Sequence, residues 1–455
     1  MRITPLPHPL NATVRVPGSK SLTNRALLIA ALANGKTKLT NALFSDDSKY
    51  FANALQSLGF DVQLDEANSE MTVTGLDGKI PAARAELFIG NAGTAARFLS
   101  AFLTLGHGEF ILDGDARMRE RPMDDLVNSL TELGANVQPI TRYVTRKTIH
   151  LPLNIIAGGL RGGKTKIAGD ISSQFLSALL MVAPYAQTPI KIELTTELNS
   201  KPYVDMTLAI MQDFGVEVQR DGYQSFTIPL STYQLPTPQF SNSQILQSPV
   251  SNLQPPIPNY QLPITNYPIE PDASAASYFF AAPAICGGTV KVENISRNSK
   301  QGDIRFLDIL TQMGCSVTET DNCLLVTGHS ELRGIDVDLR DIPDTAQTLA
   351  AIAPFASTPT RIRGIASARH KETDRVHATC AELAGLGVQV DEHEDGMTIY
   401  PASNLQPANI QTYNDHRMAM AFSLIGLRFD GVTIENPSCV SKTFPNFFDV
   451  LESLR

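Results

Sequence analysis

No C-x-x-C pair occurs in the sequence, and its five cysteines (Cys286, Cys315, Cys323, Cys380 and Cys439) are odd in number and confined to the C-terminal half. That spacing argues against a zinc finger and against a disulfide framework, and leaves buried, reduced thiols as the expectation. The eight histidines make no H-E-x-x-H or similar motif. Basic excess is lacking too: 37 Lys and Arg stand against 46 Asp and Glu, a net charge of −9. A broad basic face for nucleic acid is therefore excluded, and any anion site must concentrate its cations locally. No apolar run reaches the roughly 18 residues of a membrane span. The start, MRITPLPHPL, has no signal-peptide core and no Arg/Ser-rich transit character, so a cytoplasmic location is the expectation.

What is present is a globular composition. Of 455 residues, 43% are hydrophobic and 18% charged, which excludes a disordered, collagen-like or coiled-coil chain. The length fits two large domains, or up to about four smaller ones. One pattern recurs: an amphipathic helix, a Gly stop, then a β-branched strand. It reads LQSLGFDVQ at Gly59, LTELGANVQ at Gly134, MQDFGVEVQ at Gly215, LTQMGCSVTE at Gly314 and LAGLGVQVDE at Gly387. A sixth helix, FFDVLESLR, ends the chain before its strand. Glycine at these places is the left-handed residue that a helix stop needs. The spacings between these glycines are 75, 81, 99 and 73.

The long spacing has a cause. Residues 231–269 hold no charge and no Gly, but eight Pro and six Gln. The tetrapeptide YQLP occurs at Tyr233 and again 27 residues later at Tyr260. Subtracting that duplication restores the common spacing. The stretch 233–269 therefore reads as a Pro-rich, mobile insert between two halves of three repeats each.

Each Gly-stopped helix is preceded by another, rich in Ala and Leu, that opens on polar residues. The openings are GSKSLTNRALLIAALA, GNAGTAARFLSAFL, GDISSQFLSALLMVA, EPDASAASYFFAAPA, DIPDTAQTLAAIAPFA and YNDHRMAMAFSLIGL. These helices have no clear polar face, so they are expected inside, with sheets around them. Their starts carry more polar groups than one cap requires. Lys20, Ser21 and Arg25 share one start; Asn91, Gly93, Thr94 and Arg97 share another; Ser172, Ser173 and Gln174 share a third. Exposed N–H groups and the positive dipole end make helix starts anion sites, and several converging would hold a multiply anionic ligand. For Asp272 alone, capping is the simpler reading. Two more charged clusters are RMRERP (Arg117, Arg119, Arg121) and RHKETDR (Lys371, Glu372, Asp374, Arg375). PGSKS does not satisfy the P-loop pattern.

Taken in order, PGSKSLTNR, GNAGTAAR, RMRERPM, SSQFLSALLM, SKPYVD, DASAASYF, KETDR, YNDHRMAM and KTFP resemble the 5-enolpyruvylshikimate-3-phosphate synthases. The resemblance runs from about residue 5 to the C-terminus, apart from the Pro-rich stretch. It implies an α/β fold: a two-domain inside-out α/β barrel of six βαβαββ repeats, helices inside and sheets outside, with the active site in the cleft. Residues 1–16 with 270–455 would form one lobe and 17–232 the other, with the insert at the crossover between them. It also implies transfer of the enolpyruvyl group of phosphoenolpyruvate to 3-phosphoshikimate by a monomer, with no metal, cofactor, nucleic acid or membrane. Ser172, Ser173 and Ser200 match ligands of the shikimate phosphate. Lys20, Ser21, Arg25, Gln174, Tyr203, Asp344, Ser367 and Lys371 match the rest of that substrate's site. Lys20, Asn91, Gly93, Thr94, Arg121, Gln174, Arg375, Arg417 and Lys442 match the phosphoenolpyruvate site. Asp344 and Glu372, with Lys20 and Lys442, match the acid–base positions. Ser367 stands where the family often has Asn, Phe98 where many members have Pro, and Pro271 where Gly is common.

The chemistry fits those residue types. Both substrates carry a phosphate and a carboxylate, which several Lys and Arg in a closed site would offset. A hydroxyl must lose a proton while a methylene carbon gains one, which carboxylates and a Lys can manage. Two other readings share some of this. A UDP-N-acetylglucosamine enolpyruvyl transferase usually carries a Cys in a mobile loop, and here no Cys precedes Cys286. A non-catalytic phosphate-binding scaffold would not need the set Lys20, Asp344, Glu372 and Lys442.

Overall fold

The computed structural model of the chain describes residues 1–140, 148–236, 264–321, 323–329 and 331–455. Its centre is set by the Ala/Leu-rich helices. Lys20–Leu32 buries every residue from Leu22 to Leu32, and Ser19 caps it by accepting from Leu22 N. Gly93–Leu103 is buried along its whole length. Ser173–Val182 completes this trio, and Ala273–Cys286, Ala346–Ile352 and His416–Arg428 form a second one. A helix without a polar face must be enclosed, and sheets enclose these. Strand and helix approach closely: a Cβ on Gly328 would sit 1.7 Å from the Pro283 carbonyl oxygen.

The repeating unit shows best in residues 84–158. Strand Arg84–Phe88 leads into the inner helix and then runs parallel to His107–Asp113. The amphipathic helix Asp124–Glu132 follows. Strands Asn136–Pro139 and Leu153–Gly158 then add antiparallel, the latter beside His107–Asp113. The same order builds the sheet of Gly163–Ile167, Ile190–Leu194, Gln219–Asp221 and Ser225–Ile228, and that of Asp336–Asp338, Thr360–Arg363, Val390–His393 and Gly396–Ile399. Gly59, Gly134, Gly215, Gly314 and Gly387 all have φ between 80° and 110°, as helix stops require. The last unit stops at helix Phe447–Glu452, and its sheet has two strands, Ala408–Ile410 and Val432–Ile434. Among the described residues the sheets remain separate and do not join into one continuous hydrogen-bonded barrel.

The first unit of each half borrows its leading strand. Leu10–Val14 runs parallel to Gly288–Glu293, and Ile264–Pro268 runs parallel to Asn34–Thr40. One buried apolar cluster spans Leu22 to Ile269; the other joins Ile3–Val16 to Ala273–Leu454. This corrects the reading of 233–269 as an insert at both of its ends. Tyr233 is fully buried and donates its hydroxyl to Met181 O at 2.9 Å. Tyr267 is 6% exposed and donates to Asp213 at 2.7 Å. The absence of charge suits these segments because they fill a core. The duplicated middle, including the second YQLP, lies outside the described residues. The cysteines differ in part from expectation: Cys315, Cys380 and Cys439 are buried, but Cys286 and Cys323 only half so.

The ends of the Pro-rich stretch meet. Leu235 lies against Gly35, whose added Cβ would be 2.9 Å from Leu235 Cδ1, and Ile264 pairs with the next residue, Lys36. Deleting residues 234–260 keeps Tyr233 and supplies an identical Gln-Leu-Pro before Ile264. The melting temperature of that variant should stay within about 3 °C of the parent. A variant that fails to fold would show that the duplicated stretch contributes to packing.

Candidate active site

The inner helices of both halves start at one place. Two adjoining clefts lie there, and both are lined by Lys20, Thr94, Gln174, Asp344 and Lys371. The smaller adds Asp47, Gly93, Arg121, Glu372, Arg375 and Arg417. The larger adds Ser21, Arg25, Ser173, Ser200, Tyr203 and Pro343. In the smaller cavity five Lys and Arg side chains face three carboxylates. Helix starts supply further partial positive charge from their free N–H groups.

Buried arginines organise the carboxylates. Arg375 is 3% exposed. It bonds Asp344 Oδ1 at 3.1 Å, Glu372 Oε2 at 2.8 Å and Asp415 Oδ2 at 2.7 Å. Arg417 Nη2 meets Asp344 Oδ2 at 2.7 Å. Asp344 therefore does not act as a helix cap: it sits in the turn Pro343–Thr345, its carboxylate meets the two guanidiniums, and Tyr203 Oη lies 3.4 Å from Oδ2. Burial alone would raise its pKa, but Arg417, Lys371, Arg375 and Lys20 outweigh burial and hold it well below the usual carboxylate range. Glu372 follows the same rule: burial pushes it up, and Arg375, Arg121 and Lys442 pull it well below. For Lys371 burial prevails and lowers it to about 8. Burial likewise brings Arg25 down to about 10.

Lys442 reaches in from the 3-10 helix Pro437–Lys442. Its Nζ lies 2.8 Å from Asp47 Oδ1, 2.7 Å from Asn91 O and 3.8 Å from Glu372 Oε1. Lys20 Nζ meets the other oxygen of Asp47 at 3.3 Å. Arg121 donates to Asn91 Oδ1 at 3.2 Å and lies against Gly93. Arg25 is buried and donates to Thr207, Ser177, Ser21 O and Tyr203 O, which fixes its guanidinium at the cavity wall. Ser172 caps helix Ser173–Val182, accepting from Gln174 N at 3.3 Å. Ser200 is held in the left-handed region at φ 58° with its N–H donated to Arg340 O, a constrained backbone of the kind found at binding sites.

Of the residues matched to the two substrate sites, Asn91, Ser172, Ser367 and Lys442 line neither cavity. Asn91 and Lys442 bond to each other and to the lining residues Arg121 and Asp47, Ser172 caps the helix that begins at Ser173, and Ser367 sits on the turn Ala366–His370. Asp272 does what capping predicts, accepting from Ala275 N at 2.9 Å, and it also takes Lys20 N from the other half at 3.2 Å. Arg117 closes on the KETDR segment through Lys371 O at 2.9 Å. Three carboxylates went unnoticed in the sequence: Asp47, Asp303 and Asp415. Each stands in an acidic or cap-like helix start, so only their partners reveal them.

Comparison with known proteins agrees with this geometry. The sequence matches the family model described as EPSP synthase (3-phosphoshikimate 1-carboxyvinyltransferase) over residues 5–232 and 250–451. A 3-phosphoshikimate 1-carboxyvinyltransferase of Nostoc punctiforme is 46% identical over 448 residues, covering 98% of this chain and 97% of its own. That of Shewanella halifaxensis is 45% identical, covering 100% and 99%. In fold, the chain is similar to the EPSP synthase of Acinetobacter baumannii, with a TM-score of 0.75 over 99% of this chain and 97% of that one, at 24% identity. With matches of this length and identity, the chain belongs to the EPSP synthase (3-phosphoshikimate 1-carboxyvinyltransferase) family.

Proposed function

We propose that this chain transfers the enolpyruvyl group of phosphoenolpyruvate to the 5-hydroxyl of 3-phosphoshikimate, releasing phosphate, as a step of aromatic amino acid biosynthesis. The observation that carries this reading is the pair of adjoining cation-lined cavities sharing Lys20 and Asp344. The larger takes 3-phosphoshikimate. Ser172, Ser173 and Ser200 hold its phosphate at the start of helix Ser173–Val182, and Lys371, Gln174, Tyr203, Ser21 and Arg25 hold the ring and carboxylate. The smaller takes phosphoenolpyruvate on Lys20, Arg121, Arg375, Arg417 and Lys442, with Asn91, Gly93 and Thr94 at the helix start beneath it. The working unit is a cytoplasmic monomer, which is the family expectation.

The electrostatics supply a mechanism. Without substrate, the cations hold Asp344 and Glu372 ionised and weakly basic. Anionic substrates compete for those cations, so both carboxylates gain proton affinity when the site fills. Asp344, at the junction of the cavities, takes the 5-hydroxyl proton as oxygen attacks C2 of phosphoenolpyruvate. Glu372, among the donor-site cations, serves the C3 proton that is added and then lost. The tetrahedral adduct collapses with loss of phosphate, whose charge Lys20, Arg121 and Lys442 stabilise. Phosphate release from the two substrates together, and from neither alone, tests the reading. A protein that binds both and releases nothing would sink it.

Asp344→Asn keeps shape and removes charge. It should lower kcat by about 10²–10⁴-fold while 3-phosphoshikimate binding stays within about tenfold. Glu372→Gln should behave alike in steady-state assays. Full activity in both would leave Lys20 and Lys442 as the acid–base candidates.

A methyl on Gly93 would sit 2.7 Å from Arg121 Nη2 and 2.9 Å from Nη1, so the guanidinium must shift. Gly93→Ala should raise the phosphoenolpyruvate KM by roughly tenfold or more, with the 3-phosphoshikimate KM within about threefold. Equal losses in both constants would contradict the placement.

A further inference from the structure

Behind Asp344 lies a second carboxylate that the mechanism above does not use. Asp303 opens the 3-10 helix Gly302–Arg305 and is 4% exposed. Its partners are hydroxyls: Tyr203 Oη donates to Oδ2 at 2.9 Å and lies 3.2 Å from Oδ1, and Ser274 Oγ donates to Oδ2. Asp344, by contrast, is paired with two guanidiniums. Tyr203 Oη is 3.4 Å from Asp344 Oδ2, so one phenol proton stands between a buried carboxylate and a partly buried one. The approach is enforced by backbone. Gly302 lies so close to Pro202 that an added Cβ would be 2.2 Å from Pro202 Cβ. This pins the turn carrying Asp303 against the helix start carrying Tyr203.

We propose that Asp303 is a positioning residue for the transfer reaction: it draws the Tyr203 hydroxyl proton to itself and so spares Asp344 Oδ2, already held by Arg417 Nη2, a second donor, leaving its remaining lone pair to the substrate hydroxyl. The inference rests on the reading of Asp344 as the group that takes the 5-hydroxyl proton. A hydrogen bond from Tyr203 would weaken Asp344 as a base, because donation to the charged form of a carboxylate lowers its proton affinity. With Asp303 ionised, the better acceptor wins the phenol. With Asp303 protonated, that acceptor is lost and the phenol can turn to Asp344.

The groups facing Asp303 are Tyr203 from helix Lys201–Asp213, Ser274 from helix Ala273–Cys286, Asp344 from the turn Pro343–Thr345 and Arg417 from helix His416–Arg428. Burial and the charge of Asp344 raise Asp303 to about 6, against the opposing pulls of Ser274, Arg417 and Tyr203. Asp303 is therefore ionised above that pH and takes up a proton below it, so turnover should fall as the pH drops through about 6. Substrate phosphate titrates in the same range, but it does so alike for every variant.

The test is kcat from pH 5 to 8 at saturating substrates for the parent, Asp303→Asn and Ser274→Ala. Asp303→Asn should lose about tenfold or more in kcat at pH 7.5, keep its 3-phosphoshikimate KM within about threefold, and show a shallower fall near pH 6 than the parent, that of the substrate phosphate alone. Ser274→Ala removes a donor to the carboxylate, so that fall should move to higher pH. This variant carries the test if Asp303→Asn does not fold, and an unmoved fall overturns the inference. A parent that releases no phosphate defeats the transferase reading and the inference with it. An active parent matched by Asp303→Asn in kcat and in pH profile defeats the inference alone.

Discussion

The Arg375 guanidinium, buried among Asp344, Glu372 and Asp415, is the constraint on which the site depends. It joins three separate elements: the turn Pro343–Thr345, the KETDR segment and the start of helix His416–Arg428. Asp415 caps that helix by accepting from Arg417 N at 2.9 Å, so the guanidinium that fixes Asp415 also fixes where Arg417 begins. Removing one member would leave buried charge without a partner, a loss of about 3–5 kcal/mol in comparable cases. The network is therefore rigid as well as ionised.

Contacts between the halves use the same charges. Lys442 crosses to Asp47, Arg117 to the Lys371 carbonyl, Arg340 to Glu197 and Lys300 to Asp213. The last two are partly exposed and contribute little each. The first two lie at the cavities and bring donors from both halves onto one small volume. The result is a site with more buried cation than carboxylate. Burial lowers the proton affinity of Lys371, Arg25 and Arg121, which is the cost of holding them there without anions. Substrates bearing phosphate and carboxylate groups relieve that cost. In doing so they release the carboxylates to act as bases.

Much of this was legible in the chain because the units repeat. The helix-stopping glycines counted the units, and the Ala-rich helices declared themselves buried by lacking a polar face. The polar groups at their starts marked the site, since a cap needs one such group and these starts carry three or four. The strand exchange was not legible. ITNYP lies in an uncharged Pro-rich stretch, and its partner Asn34–Thr40 is more than two hundred residues away. Asp47 reads as an ordinary acidic first turn and Asp303 as a surface residue in QGDIR. Both are defined by what crosses the cleft to meet them. Ser367 enters the site only through the resemblance, and the turn it occupies lies outside the lining of both cavities.

The claim that the cleft holds cations destabilised until an anion arrives can be measured directly by calorimetric titration of 3-phosphoshikimate at pH 8 in buffers of different ionisation enthalpy. The substrate phosphate is already dianionic there, and Lys371, at about 8, is partly deprotonated. Binding should take up close to about half a proton per site, and Lys371→Arg should abolish the uptake. Binding with no proton exchange, or with release, would contradict the account.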